Sequence, residues 1–181
     1  MKKLYFVLIC SIVALSLVSC TKSERSEETP YGRKSYIEIC GLKWATQNVG
    51  ATKDNPYGSL YTYEQALKAC PEDWRLPTGD ELKQLSLFHS VPVSFDGMNG
   101  MWFSGSIPYK EGVDAVFLTM AGGSFNGSKQ NSGESAYYWS STEYHHVTEY
   151  YHICVLCFDG SSVDLKSSNR SDVCSVRCVK D

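Results

Sequence analysis

Behind the positive pair Lys2 and Lys3, the chain runs from Leu4 to Val18 with hardly a polar side chain. A charged start, an apolar stretch of this length and a small residue before the cut make a secretory signal. The stretch is too short to cross a bilayer, which takes about 20 apolar residues. It constrains the fold more than any other feature. It leaves with residues 1–19, and it delivers the rest of the chain to an oxidising compartment, where cysteines pair by default. The chain has eight cysteines, of which Cys10 departs with the signal and Cys20 sits at its end. Cys40, Cys70, Cys154, Cys157, Cys174 and Cys178 remain. An even set in an exported chain reads as a disulfide framework, and six cysteines allow 15 connectivities.

The segment Leu17-Val-Ser-Cys20 resembles the bacterial lipobox, in which the cysteine is acylated and becomes the new N-terminus. Two or three acyl chains on Cys20 bury far more methylene than the single chain that anchors only reversibly. Residues 20–34 carry Glu24, Glu27, Glu28, Pro30 and Gly32 without apolar periodicity. Such a segment cannot bury enough apolar area to offset its ordering entropy, so it is expected to be a flexible acidic tether. An acidic stretch after the lipidated cysteine also resembles the surface-export signal of Bacteroidota lipoproteins. It implies an outer-membrane protein facing the exterior. Residues 35–181 have the size of one ordinary domain. The 17 basic residues lose Lys2 and Lys3 with the signal, leaving 15 against 20 acidic ones, or −5. No basic stripe exists, so nucleic acid is not an expected partner.

Tyr36, Ile37 and Ile39 lead through Gly41 to Leu42 and Trp44, which reads as two short strands around a turn. Thr62 with Gln65 is a capping-box pattern opening a helix over residues 63–69, stopped by Pro71. Thr78 with Glu81 repeats it, and Leu82, Leu85 and Phe88 give the second helix one apolar stripe. From Ser90 to Ser135 the chain is rich in Gly, Ser and Asn, and is expected to be a long irregular loop of functional character. Strands are predicted over residues 137–140, 149–158, 162–166 and 173–179, with Asp159-Gly160 as a hairpin turn. Two early helices followed by a β meander predict an α+β fold.

Five phrases then line up: Trp44-Ala-Thr-Gln-Asn48, Gly58-Ser-Leu-Tyr-Thr-Tyr63, Ala69-Cys-Pro-Glu-Asp-Trp-Arg-Leu-Pro-Thr78, Tyr138-Trp-Ser-Ser-Thr-Glu143 and Ser175-Val-Arg-Cys-Val-Lys-Asp181. In this order they resemble the Fibrobacter succinogenes major paralogous domain of bacterial surface and secreted proteins. That family is similar in turn to the C-terminal domain of the Legionella collagen-like protein and, more remotely, to the C-type-lectin-like fold. The resemblance implies two short helices flanking a small antiparallel sheet, with long loops presenting ligand contacts. It also implies a disulfide from Cys70, on the first helix, to Cys178, on the last strand. That bridge would close about 109 residues, worth roughly 4–5 kcal/mol in the chain-entropy model. The partners of Cys40, Cys154, Cys157 and Cys174 stay open.

Metal sites find no support in the pattern. Cys154 and Cys157 lie in a β run, where residues three apart point to opposite faces, and His145 and His146, being adjacent, diverge. The Trp139 phrase holds Ser-Ser where calcium-dependent lectins carry Asn-Asp, so it offers no carboxylate to a hard cation. Neither a metal nor another cofactor is expected. No Gly-x-Ser-x-Gly elbow occurs. Arg75-Leu-Pro-Thr78 also resembles a phrase of formylglycine-generating enzymes, whose paired active-site cysteines and Gly-rich C-terminal context are lacking here. The expectation is a non-enzyme: a lipid-anchored binding or adhesion module whose ligand is a glycan or a surface protein. The alternatives are a structural component of the envelope or of a surface assembly, and an enzyme related to the formylglycine-generating fold. Trp44, Trp74 and Trp139 fall in the family phrases and read as core. That leaves Trp102, Tyr109, Tyr144 and Tyr150, in or beside predicted loops, as candidate contacts that bury large rings against a ligand.

Overall fold

The computed structural model describes residues 36–39, 41–105, 115–125, 127–145 and 151–181. Strands β1 (Tyr36–Ile39) and β2 (Leu42–Ala45) pair antiparallel around Gly41, whose φ of 77° suits a residue without a Cβ. β3 (Leu60–Tyr61) leads into helix α1 (Tyr63–Ala66), where Gln65 Oε1 accepts the Thr62 N–H at 3.0 Å. Helix α2 (Gly79–Ser86) opens on the second capping box: Thr78 Oγ1 accepts the Glu81 N–H at 3.2 Å, and Glu81 Oε2 accepts the Thr78 N–H at 2.7 Å. Each box satisfies backbone donors that a helix start leaves orphaned.

The expected α+β, C-type-lectin-like arrangement of two helices flanking a small sheet is not what forms. Among the described residues strands take 52% and helix 9%, in four small sheets. The α1 helix closes after four residues. In the span from Ser90 to Ser135, expected as irregular loop, the described residues include β4 (His89–Phe95), β5 (Met98–Ser104), β6 (Ala115–Thr119), β7 (Gly123–Phe125) and β8 (Ser128–Gln130). Pro92 is tolerated because β4 is an edge strand, where a missing donor costs no ladder bond. The β4–β5 turn is Asp96-Gly97, both with positive φ, 50° and 76°. That matches the twist of a two-residue hairpin.

The remaining strands are β9 (Ser135–His145), β10 (Tyr151–Asp159), β11 (Val163–Asn169), β12 (Cys174–Ser175) and β13 (Val179–Lys180). The single closing strand expected over 173–179 is broken in two. β12 lies between β9 and β3 in the five-stranded sheet β11-β10-β9-β12-β3, while β13 pairs with β2. Alternation along the central sheet feeds two cores. Ala136, Tyr138, Leu156 and Phe158 join Leu82 and Leu85 of α2, Met101, Phe103 and Leu118 of β5–β6, and Trp44. Trp139, Ile153, Val155 and Cys157 join Tyr63 and Ala66 of α1, Leu76 and Val176. Both faces of the central sheet are thereby covered, one largely by the β4–β6 meander and α2.

Candidate functional site

With Met101, Phe103, Val116 and Leu118 turned into the core, the pleat of β4–β6 puts the alternate residues on its other face, where Phe117 is itself buried and Phe95 is exposed. Val91, Trp102 and Phe117 stand abreast across the three strands, with Val93 beside Gly100 and Phe95 beside Met98. Three of these side chains form a ring cluster. Centroids lie 5.3 Å apart for Phe95–Trp102, 5.4 Å for Phe95–Phe117 and 5.1 Å for Trp102–Phe117. Such edge-on and tilted pairs add about 0.5–1.5 kcal/mol each beyond burial. Gly100 makes room for them, since a Cβ there would stand 2.5 Å from the Phe117 ring and from the Leu118 carbonyl. Phe95 remains 42% exposed and Trp102 is half-buried. The face offers apolar and π contact and carries no charged side chain among these seven positions.

Of the four residues nominated from sequence, Trp102 lies on this face. Tyr144 lies on β9, opposite His152 in another sheet, and is 50% exposed. Its hydroxyl is hydrogen-bonded to Cys154, which pushes its titration above that of an ordinary tyrosine. The structure therefore does not join Trp102 and Tyr144 in one surface. Tyr109, Tyr150, Cys20 and Cys40 fall outside the described residues. Phe95 and Phe117 were not nominated. The dipeptide Asp96-Gly97, flanked by alternating Val91, Val93, Phe95 and Met98, is the signal that points to them.

Cys70 and Cys178 form a disulfide, with Cα atoms 5.8 Å apart. Cys154, Cys157 and Cys174 are free and buried, so the default of oxidised pairs does not hold for them. The sheet explains why. Cys157 pairs across from Tyr137, and Cys174 flanks Tyr137 on the other side, because Ser175 aligns with Tyr138. Two strand spacings, roughly 9.5 Å, exceed the 7 Å or so a disulfide can bridge. Burial pushes the Cys157 thiol up to about 12 and raises Cys154 and Cys174 as well. All three are protonated at neutral pH and poor nucleophiles.

The phrases that carried the resemblance are bound to one another. Arg177 is buried, its Nε and Nη2 donating to Asn48 Oδ1 at 2.9 and 2.8 Å, and Nη1 to the Ala45 carbonyl at 2.8 Å. Asn48 Nδ2 donates to Tyr138 Oη at 3.1 Å, and Tyr138 donates to the Thr119 carbonyl at 2.9 Å. Trp139 Nε1 donates to the Tyr61 carbonyl at 2.7 Å. Arg75 holds Glu81 with two bonds of 2.8 Å, which keeps the Glu81 carboxyl below the usual carboxylate range. Arg170 bridges Glu64 and Glu143 at 2.7 Å each. Tyr63 beneath it is pushed up to about 12, first by burial and then by Glu143. The nearby open groove of about 590 Å³, lined by Leu60, Tyr61, Glu64, Gln65 and Lys68, has one carboxylate, and Arg170 already holds it. No group of three or more metal-ligating side chains occurs among the described residues.

A mostly-β domain, cross-linked among its described residues by Cys70–Cys178 and tied internally by these phrases, defines a class of scaffold with an aromatic cluster on one small sheet. The chain belongs to the Fibrobacter succinogenes major domain family, whose model matches residues 27–180. No curated protein and no solved structure gives a significant match.

Proposed function

We propose that this chain is a lipid-anchored, outer-membrane binding module without catalytic activity, whose contact surface is the outward face of β4–β6. The observation that carries the reading is the ring cluster of Phe95, Trp102 and Phe117 on a sheet surface, with Phe95 exposed at its edge. Rings displayed by a rigid strand lose little freedom on binding, which is why aromatic residues dominate binding energy. The Leu17-Val-Ser-Cys20 pattern supports the anchor and the location. The non-catalytic reading is supported by the use of Cys178 in the disulfide and by protonated, buried thiols elsewhere. Glycan arrays and pull-downs from envelope fractions test it. Specific capture is expected to drop about tenfold or more for Trp102→Ala, a loss of some 1.4 kcal/mol or more. Capture indifferent to both Trp102→Ala and Phe95→Ala would sink it. A second reading, a structural part of the envelope, is favoured by the absence of a charged side chain at the seven positions named above. It predicts retention in a large assembly with no soluble ligand.

A further inference from the structure

A sheet that ends in an unpaired strand leaves a row of backbone N–H and C=O groups open to another chain. The central sheet β11-β10-β9-β12-β3 ends in β3, two residues long, and in β11, seven residues long. β11 pairs with β10 without interruption from Val163 to Asn169, and among the described residues no strand lies on its other side. Other edges are less open: β4 carries Pro92, which donates no ladder bond, and β6 is buried along its length with β1 beside it. On β11, Asp164, Lys166 and Ser167 are exposed, while Val163 and Leu165 are half-buried against the core that holds Leu82 and Leu85. Asp164 and Lys166, two apart, share the opposite face, where the Lys166 ammonium lies 6.0 Å from the Phe125 ring centre. Among the described residues the ion pairs run through Arg75, Arg170 and Lys180, and none reaches Asp164 or Lys166.

We propose that β11 pairs antiparallel with β11 of a second copy of this chain, about a two-fold axis at Leu165. Asp164 then stands opposite the partner's Lys166, and Lys166 opposite the partner's Asp164, two opposite-charge pairs of the kind that stabilise a ladder. A parallel pairing in register sets Asp164 against Asp164 and Lys166 against Lys166, so the charges select the antiparallel arrangement. A slip of one residue turns Leu165 to the wrong face. In the two-fold register Leu165 meets the partner's Leu165 and prolongs the row Tyr138, Leu156, Leu165 that already crosses β9, β10 and β11. Two five-stranded sheets become one of ten strands, about the widest span an open twisted sheet keeps. This pairing depends neither on the β4–β6 reading nor on the acyl anchor.

The test is disulfide trapping in the full chain under mild oxidation. Residues directly opposite on antiparallel strands have Cα atoms about 4.5–5.5 Å apart, within disulfide reach. Leu165→Cys is therefore expected to give a cross-linked dimer. Val163→Cys, equally half-buried, is expected to stay monomeric, because its copy lies four residues out of register, roughly 14 Å away. Reversing one charge, Asp164→Lys, makes both cross-strand pairs repulsive and should weaken dimerisation about tenfold. Asp164→Lys with Lys166→Asp restores opposite charges and should restore the dimer, which a merely structural role for either residue would not do. Both charge changes fall at exposed positions. Sedimentation equilibrium of the wild type and these variants therefore reads the same weakening and rescue if Leu165→Cys melts early. Absence of a dimer in both measurements overturns the proposal, as does equal cross-linking of Leu165→Cys and Val163→Cys. A dimer indifferent to the charge reversals overturns it too, and so does a Leu165→Cys chain that cross-links only to a different protein.

Discussion

Arg177 places a cation in the core, its guanidinium held by the Asn48 amide oxygen and the Ala45 carbonyl. Desolvation lowers its pKa, yet an arginine stays charged. Asn48→Ala therefore strands a buried charge, and the expected cost is about 3–5 kcal/mol, read from a urea midpoint. Adding Arg177→Met to Asn48→Ala should cost less than the two single losses summed, because the second change removes the charge the first exposed. Glu81 behaves differently. Its carboxyl titrates below the unfolded value of about 4.5 because Arg75 binds it. The stabilisation is thus present above that pH and is lost as pH falls through the folded value. Arg75 is 39% exposed, so screening trims the effect to on the order of 1 kcal/mol. Glu81→Gln keeps an N3 acceptor for the cap. Its stability deficit at pH 7 should close as acid titrates the wild type below 4.5, measured by melting at each pH.

Among the elements, the β4–β5–β6 meander depends on one position without a side chain. Gly100→Ala would drive a methyl into the Phe117 ring and the Leu118 carbonyl, each at 2.5 Å. Backbone cannot yield as a flexible side chain can, so a loss of about 1–3 kcal/mol is expected. Near-ultraviolet circular dichroism should change with it, since Phe117 must leave Trp102. Both capping boxes were legible because capping is a local exchange of bonds three residues apart. The meander was not, although Asp96-Gly97 is the same dipeptide that marked the β10–β11 turn. Pro92, Gly100 and the neighbouring Ser and Asn residues hid the alternation, and whether a proline sits on an edge is a property of the sheet. For the same reason Trp102 was found as a loop residue rather than as one ring of three. Its partners arrive from two other strands, and no spacing along the chain encodes that meeting.

For the molecule as a whole, the cysteines show where sequence stops and topology begins. The pairing that the family resemblance named forms, whereas Cys154, Cys157 and Cys174 stay free, because pairing needs Cα atoms within reach. Reach is decided by which strands are neighbours, and the break between β12 and β13 could not be read from residues 173–179. The consequence is measurable. Alkylation of the native protein at neutral pH should leave Cys154, Cys157 and Cys174 unlabelled. After unfolding without a reductant, peptide mapping should find all three labelled and Cys70 and Cys178 still joined. The Cys70–Cys178 bond spans a sequence separation of 108 residues, and β4 to β11 all lie between its ends. Breaking it frees the unfolded chain more than it disturbs any single contact. Cys70→Ala with Cys178→Ala should therefore lower stability by about 4 kcal/mol, chiefly by moving the denaturant midpoint. A loss below about 1 kcal/mol would show that the two cores on either side of the central sheet hold the domain closed without the cross-link.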